Sequence, residues 1–127
     1  MKALIAIPAY NEEKTIQTVI RNIPTKILGI NSYEIVVVDD GSKDHTAFLA
    51  STAGATVISN QRNKGVGAAF INALEYARKK NVDILITIDA DMQFNPQDIP
   101  KIAEPIISKK ADFVTATRFH KRKFTRG

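Results

Sequence analysis

The chain contains no cysteine and only two histidines among its 127 residues. Without cysteine it can form neither a disulfide nor a thiolate metal site, which fits a reducing compartment. It also lacks a long hydrophobic run: the N-terminal stretch "ALIAI" is short and ends before Pro8. We therefore expect neither a signal peptide nor a membrane-spanning helix, but a soluble, cytoplasmic protein whose length suffices for one ordinary core.

The net charge of +5 comes from the end of the chain. Five of the 18 basic residues lie in the last ten positions, so the other 13 balance the 13 acids of residues 1–117. A neutral body argues against a nucleic-acid surface. The basic residues of this end are either a solvated tail or a patch for phosphate or for the anionic cytoplasmic face of a membrane; they are Arg118, Lys121, Arg122, Lys123 and Arg126. We therefore divide the chain into a core, residues 1–117, and a basic C-terminal segment, residues 118–127.

Strand and helix patterns alternate along the core. Strands separated by helix-length crossovers predict a three-layer α/β/α domain with a mainly parallel sheet. Ligands bind beyond the carboxyl ends of the strands in such sheets, and polar clusters follow each predicted strand. The predicted strands are residues 3–7, 34–38, 56–59, 83–89 and 112–117. The predicted helices run from Asn11 to Pro24, from "DDGS" to about Gly54, over 66–80, and from Asn95 through Ile99, Ile102 and Ile106.

Three local features refine these helices. Asn11 is predicted to cap the first helix. The third helix is predicted to bury one face, formed by Val66, Phe70, Leu74 and Ala77. The last helix is weakened by Pro100 and Pro105, because each proline removes a backbone donor.

Three oxygen-bearing side chains, Asp89, Asp91 and Gln93, occupy every second position behind the apolar run "ILITI". In an extended chain they would lie on one side, forming a ligand set suited to Mg²⁺ or Mn²⁺. A calcium loop of the EF-hand type fits poorly, since Phe94 replaces its turn glycine and Pro100 its terminal glutamate.

Two further clusters bear on nucleotide binding. Helix capping by "DGSKD" accounts for the residues after Asp40 but not for Asp39, which is well placed to accept hydrogen bonds from a nucleobase or ribose. "GVGAAF" departs from a dinucleotide fingerprint at Phe70 and follows the wrong strand, so a tight turn and a close helix start explain its glycines. Arg62 and Lys64 beside it are secondary candidates for nucleotide contact.

With "IPAYNEE", "VVVDDGSKDHT", "NKGVGAAF" and "DADMQ" in this order, the sequence resembles the family 2 glycosyltransferases over essentially its whole length. It is most similar to their dolichyl-phosphate mannose synthase group, which uses polyprenyl phosphates. The resemblance implies the Rossmann-like GT-A fold of nucleotide-diphospho-sugar transferases. Family members continue past the fifth strand, so we expect a C-terminally short version.

The resemblance also implies roles for particular residues. Asp91 and Arg118 are expected to be catalytic, with Arg118 facing phosphate. The metal ligands are expected to be Asp89, Asp91 and Gln93. The residues expected to contact the nucleotide are Pro8, Tyr10, Glu12, Val37, Asp39, Asp89 and Ala90.

The implied reaction is inverting transfer of mannose or glucose from a GDP- or UDP-sugar to a polyprenyl or dolichyl phosphate, with Mg²⁺ or Mn²⁺. A phosphate acceptor is already anionic and needs no general base, which fits the poor placement of His45 and His120 for that role. Three alternatives stay open: a saccharide acceptor, a non-catalytic or incomplete nucleotide-sugar-binding module, and a nucleotidyltransferase. The last is disfavoured because "PAYNEEKT" is not a glycine-rich loop.

Overall fold

The computed structural model describes residues 1–60, 65–109 and 113–115. Five strands form one sheet in the order β3-β2-β1-β4-β5, and every strand pairing in it is parallel. No helix within these ranges is long and apolar enough to cross a bilayer. The elements are β1 (Lys2–Ala9), α1 (Ile16–Arg21), β2 (Ser32–Asp39), α2 (Thr46–Thr52), β3 (Thr56–Ser59), α3 (Val66–Lys79), β4 (Ile84–Thr87), a 3₁₀ turn (Pro96–Asp98), α4 (Ile99–Lys109) and β5 (Phe113–Thr115).

Helices cover both faces of the sheet, as the alternating pattern predicts. Side chains alternate along β1, so Ile5 and Ile7 join a core with α1, α2 and α4, whereas Leu4 and Ala6 join a second core with α3. A strand buried on both faces needs no polar alternation, which explains its continuous apolar run. The three-layer α/β/α architecture is confirmed.

The start of the first helix differs from the prediction. Asn11 has a φ of 51° and the helix begins only at Ile16, so the prediction that Asn11 caps it is wrong. Asparagine tolerates this left-handed conformation, which turns its side chain toward the loop after β2. There its Oδ1 accepts the N–H of Lys43 at 2.9 Å.

Packing against the sheet decides which side chains of α3 are buried, and a local hydrogen bond marks the turn before α4. Among the described side chains of α3, Ala69, Ala73 and the predicted Ala77 are buried, whereas the predicted Phe70 and Leu74 are only partly buried. The side chain of Val66, also predicted for this face, lies outside those that the structure describes. Small residues in an i, i+4 row let the helix lie close to the sheet. Before α4, Asn95 accepts the N–H of Gln97 at 3.0 Å, as predicted for a helix start.

The last helix forms despite its prolines. Pro100 lies in the first turn of α4, where its missing N–H would have had no partner within the helix. Pro105 does lie inside the helix. Burial of Ile99, Ala103 and Ile106 against the sheet offsets the donor lost there.

Candidate functional site

The loops after β1, β2 and β4 meet at one edge of the sheet, because β1 lies between the other two strands. Together with the start of α3 they line one cavity. The described residues that line it are Pro8, Ala9, Tyr10, Glu12, Asp40, Ala69, Asp89, Ala90 and Asp91. The structure thus brings together six residues that the sequence analysis assigned to the site: Pro8, Tyr10, Glu12, Asp89, Ala90 and Asp91.

The two aspartates of the "DAD" segment face this cavity for a simple reason. Ile88 and Ala90 are buried in the core shared with α1 and α4, so the side chains of the alternate residues, Asp89 and Asp91, lie on the other side. Both line the cavity, as the period of two predicts for this pair.

Gln93 is placed differently. Met92 has a φ of 67°, which ends the extended period before Gln93 is reached. Gln93 is exposed and is not among the described residues that line the cavity. Its backbone N–H donates to Asp91 Oδ1 at 3.1 Å, which helps to orient that carboxylate. The metal-ligand role of the Gln93 side chain stays a prediction.

The donor set of the cavity fits a hard divalent cation that shares its shell with a substrate. Within the described ranges, no group of three or more His, Cys, Asp or Glu side chains could hold an ion by itself. Mg²⁺ and Mn²⁺ are commonly held by one or two carboxylates, with phosphate oxygens and water completing the shell. Asp89 and Asp91 provide such a pair.

The two adjacent aspartates at the end of β2 have different surroundings. Asp39 is 5% exposed, accepts the N–H of Ser42 at 3.1 Å through Oδ1, and is not among the described residues that line the cavity. Asp40 is 6% exposed and does line the cavity. Its Oδ1 accepts Asn60 Nδ2 at 3.1 Å and its Oδ2 accepts the N–H of Gly65 at 2.9 Å.

The sequence analysis did not assign Asp40 to the site, although the alternation of side chains along β2 indicates its position. Val36 and Val38 face α3, and the alternation along β2 carries Asp40 to the same side. Val37, expected near the nucleotide, is fully buried in the other core, so its side chain does not line the cavity. The remaining expected residues, Arg118, Arg62 and Lys64, lie outside the described residues, as does His120, which the sequence analysis judged poorly placed for a general base.

The loops after β1 and β2 are held together by reciprocal hydrogen bonds. The N–H of Asn11 donates to Ser42 Oγ at 2.8 Å, and Asn11 Oδ1 accepts from Lys43. The N–H of Glu12 donates to Thr46 Oγ1 at 2.8 Å. We call this contact between residues 11–13 and 42–46 the loop clasp. It fixes Tyr10 and Glu12 relative to the end of β2.

Charged residues complete the loop clasp. Asp44 accepts the N–H of Thr46 at 2.9 Å, as the capping interpretation predicts, and the N–H of Glu13 at 3.2 Å. Glu13 Oε1 accepts a hydrogen bond from the backbone N–H of His45 at 3.1 Å. The same oxygen also lies 3.1 Å from the ring atom Nδ1 of His45. His45 thus belongs to the clasp.

The loop clasp should weaken in acid. Burial raises the pKa of Asp44, but hydrogen bonds from the hydroxyl and N–H of Thr46 and the N–H of Glu13 outweigh it and lower the pKa below 3.8. The folded-state pKa is thus the lower one, so the stabilisation is present above the unfolded-state value and is lost as pH falls through the folded-state value. We expect Asp44→Asn to lower the free energy of unfolding by about 1 kcal/mol at neutral pH. The free energy of unfolding of this variant should also fall less than that of the wild type when the pH is lowered.

Urea unfolding followed by circular dichroism at neutral and acid pH measures this effect. Asp98→Asn is the matched control, because Asp98 lies at the surface, 3.7 Å from Lys101 and outside the clasp. Equal changes for the two variants would contradict the role given to Asp44.

Comparison with known proteins gives three similarities. Residues 4–126 match the family model described as Glycosyl transferase family 2. The sequence is 36% identical over 131 residues to a UDP-N-acetylglucosamine–dolichyl-phosphate N-acetylglucosaminyltransferase of Methanococcus voltae, which covers 90% of this chain and 51% of that protein. It is 35% identical over 125 residues to a dolichol-phosphate mannosyltransferase of Pyrococcus furiosus, which covers 95% of this chain and 34% of that protein.

The fold is similar to that of a solved GT-A enzyme. The crystal structure of glucosyl-3-phosphoglycerate synthase from Mycobacterium tuberculosis with Mn²⁺, UDP-glucose and phosphoglyceric acid superposes with a TM-score of 0.68 at 29% identity. That similarity covers 84% of this chain and 39% of the other. The chain therefore spans about half or less of the length of these relatives.

Proposed function

The chain belongs to glycosyltransferase family 2, and on that premise we propose that it transfers mannose or glucose, with inversion, from a GDP- or UDP-sugar to a polyprenyl or dolichyl phosphate. One observation carries the proposal: Asp89 and Asp91 share a cavity with Pro8, Tyr10 and Glu12 at the carboxyl edge of the sheet. The names of the two archaeal relatives support the lipid-phosphate acceptor. We place the reaction at the cytoplasmic face of the membrane.

The donor nucleotide would occupy the part of the cavity next to the loop clasp. Pro8 and the 41%-exposed Tyr10 offer apolar surface to the nucleobase. Glu12, with Asp39, which accepts the N–H of Ser42 in the clasp, offers carboxylate oxygens to base and ribose donors. Charge-assisted hydrogen bonds of this kind fix the orientation of a nucleotide as well as its affinity.

The diphosphate would lie beside Asp89 and Asp91. Four carboxylates line the cavity, from Glu12, Asp40, Asp89 and Asp91, and they would repel a diphosphate in the absence of a cation. Asp89 and Asp91, with Gln93 as a further ligand, would hold Mg²⁺ or Mn²⁺, which would supply the positive charge that offsets the diphosphate. The solved relative, which contains Mn²⁺ and UDP-glucose, supports this assignment.

The acceptor would enter from the open side of the cavity. An anionic phosphate acceptor needs no general base, and His45 is bound to Glu13 within the loop clasp. A phosphorylated small molecule is the second candidate acceptor, because the solved relative contains phosphoglyceric acid. We assign Arg118 to the acceptor or donor phosphate, where its planar fork matches phosphate oxygens.

Product analysis tests the proposal. The chain is incubated with Mn²⁺ and radiolabelled GDP-mannose, UDP-glucose or UDP-N-acetylglucosamine, together with dolichyl phosphate, 3-phosphoglycerate or a disaccharide. We expect label in the organic phase, as a sugar–phosphate–lipid identified by mass spectrometry. A water-soluble glycoside as the labelled product would show that the acceptor is 3-phosphoglycerate or the disaccharide and that the lipid phosphate is not the acceptor. Donor binding without any product would favour a non-catalytic module.

The basic C-terminal segment gives a separate prediction. Its lysines and arginines should attract an anionic membrane by about 1 kcal/mol each, and salt should screen that attraction. In co-sedimentation with vesicles containing phosphatidylserine, we expect the intact chain to partition more strongly than a chain ending at Arg118, at low salt only. Equal, salt-insensitive partitioning would identify the segment as a solvated end.

A further inference from the structure

The N-cap position before the first helix is occupied by Thr15, whose side chain does not cap the helix. Threonine at an N-cap position usually accepts an N–H from the first turn of its own helix. Thr15 makes no such hydrogen bond. Its hydroxyl instead donates to the carbonyl oxygen of Ala90 at 2.6 Å, across 75 positions of sequence. The side chain therefore serves a tertiary contact, and helix capping does not explain it.

The carbonyl that Thr15 binds lies between the two cavity aspartates. The C=O of Ala90 and the N–H of Asp91 belong to one planar peptide group. A hydrogen bond that fixes this oxygen therefore also fixes the orientation of the backbone that enters Asp91. The ladder of β4 ends at Thr87, and Ile88 N–H donates to Ala6 O at 3.1 Å. The Thr15 hydroxyl thus holds the chain beyond the sheet, where the aspartates lie.

The same segment of chain also holds the other side of the cavity. Just before Thr15, residues 11–13 form the loop clasp with the loop after β2. Residues 11–15 therefore connect the loop after β2, which follows Asp39 and Asp40, to the loop that carries Asp89 and Asp91. A shift of this segment would change the distance between the two halves of the cavity.

We propose that Thr15 is a positioning residue, whose hydroxyl directs the Asp91 carboxylate toward the divalent cation bound with the donor diphosphate. This inference rests on the function proposed above. Thr15 does not touch the ligand; it acts through the Ala90 peptide. Gln93, whose N–H donates to Asp91 Oδ1, acts on the same carboxylate directly.

Three variants separate the hydroxyl from the rest of the side chain. Thr15→Val keeps the shape and removes the donor, without the loss of an N-cap bond, because none is made. Thr15→Ser keeps the donor and should restore function. Thr18→Val is the matched control, because Thr18 is an exposed threonine of the same helix.

Calorimetry with UDP and with GDP, each with and without Mn²⁺, measures the effect. We expect Thr15→Val to weaken Mn²⁺-dependent nucleotide binding about tenfold, the scale found for residues that orient metal ligands. Binding without Mn²⁺ should be unchanged, because the nucleobase side of the cavity keeps its contacts. Thr15→Ser and Thr18→Val should both match the wild type.

The outcomes distinguish this inference from the proposed function. If the wild-type chain binds neither nucleotide with Mn²⁺, the proposed function fails and the inference fails with it. If the wild type binds and Thr15→Val binds equally well, or if Thr15→Ser loses as much as Thr15→Val, the inference alone is overturned. If Thr15→Val does not show the wild-type circular dichroism spectrum, Thr15→Ala takes its place, because it removes the same donor. We expect the same tenfold loss of Mn²⁺-dependent binding for Thr15→Ala.

Discussion

Asp91→Asn is expected to abolish Mn²⁺-dependent binding of a nucleoside diphosphate and to leave the fold intact. The asparagine carbonyl can still accept the N–H of Gln93, which Asp91 Oδ1 accepts at 3.1 Å. The second carboxylate oxygen, however, becomes an amide NH₂, which donates hydrogen bonds and cannot ligate a cation. Loss of a direct ligand should exceed the roughly 10- to 100-fold loss that follows removal of an outer-shell partner.

Calorimetry with UDP and GDP, with and without Mn²⁺, measures this loss, and thermal unfolding checks the fold. Asp98→Asn is the matched control, because it removes one carboxylate from the nearby 3₁₀ turn, where Asp98 is paired with Lys101 at the surface. The assignment of Asp91 to the cation is wrong if the Mn²⁺-dependent affinity of Asp91→Asn equals that of the control.

Asp40→Asn is expected to lower the free energy of unfolding by about 1–3 kcal/mol. Both oxygens of Asp40 accept hydrogen bonds, from the Asn60 amide and from the N–H of Gly65. An asparagine must present its NH₂ group to one of these two donors, which leaves a partly buried donor without its present acceptor. Since Gly65 precedes α3 with a φ of 94°, the start of that helix should loosen as well.

Asp39→Asn, the matched variant at the neighbouring position, is expected to behave in the opposite way. Its carbonyl oxygen can retain the hydrogen bond from Ser42, so the stability should change little. Nucleotide binding should weaken by about 1–3 kcal/mol, the scale of a hydrogen bond to a charged group. Urea unfolding and calorimetry on both variants measure the two quantities. If Asp40→Asn mainly reduced affinity and Asp39→Asn mainly reduced stability, the roles of the two aspartates would be exchanged.

Local patterns in the sequence were sufficient to predict the architecture. The alternation of short apolar strands with helical spacing predicts a parallel sheet covered on both faces, with the polar clusters at the carboxyl ends of its strands. The period of two likewise predicts that Asp89 and Asp91 share a side, although it also predicts this of Gln93, which the turn at Met92 places differently. These features depend on neighbours in sequence, so the sequence alone determines them.

Tertiary structure decided which polar groups serve the site and which hold it together. Asn11 reads locally as a helix cap, but it bonds to the loop after β2. Thr15 reads as an ordinary helix residue, but its hydroxyl reaches Ala90. Asp40 follows the period of two along β2, but its hydrogen bond from the N–H of Gly65 depends on where the start of α3 lies. Each of these outcomes depends on a partner distant in sequence, and a hydrogen bond to such a partner leaves no periodic signal in the residues around it.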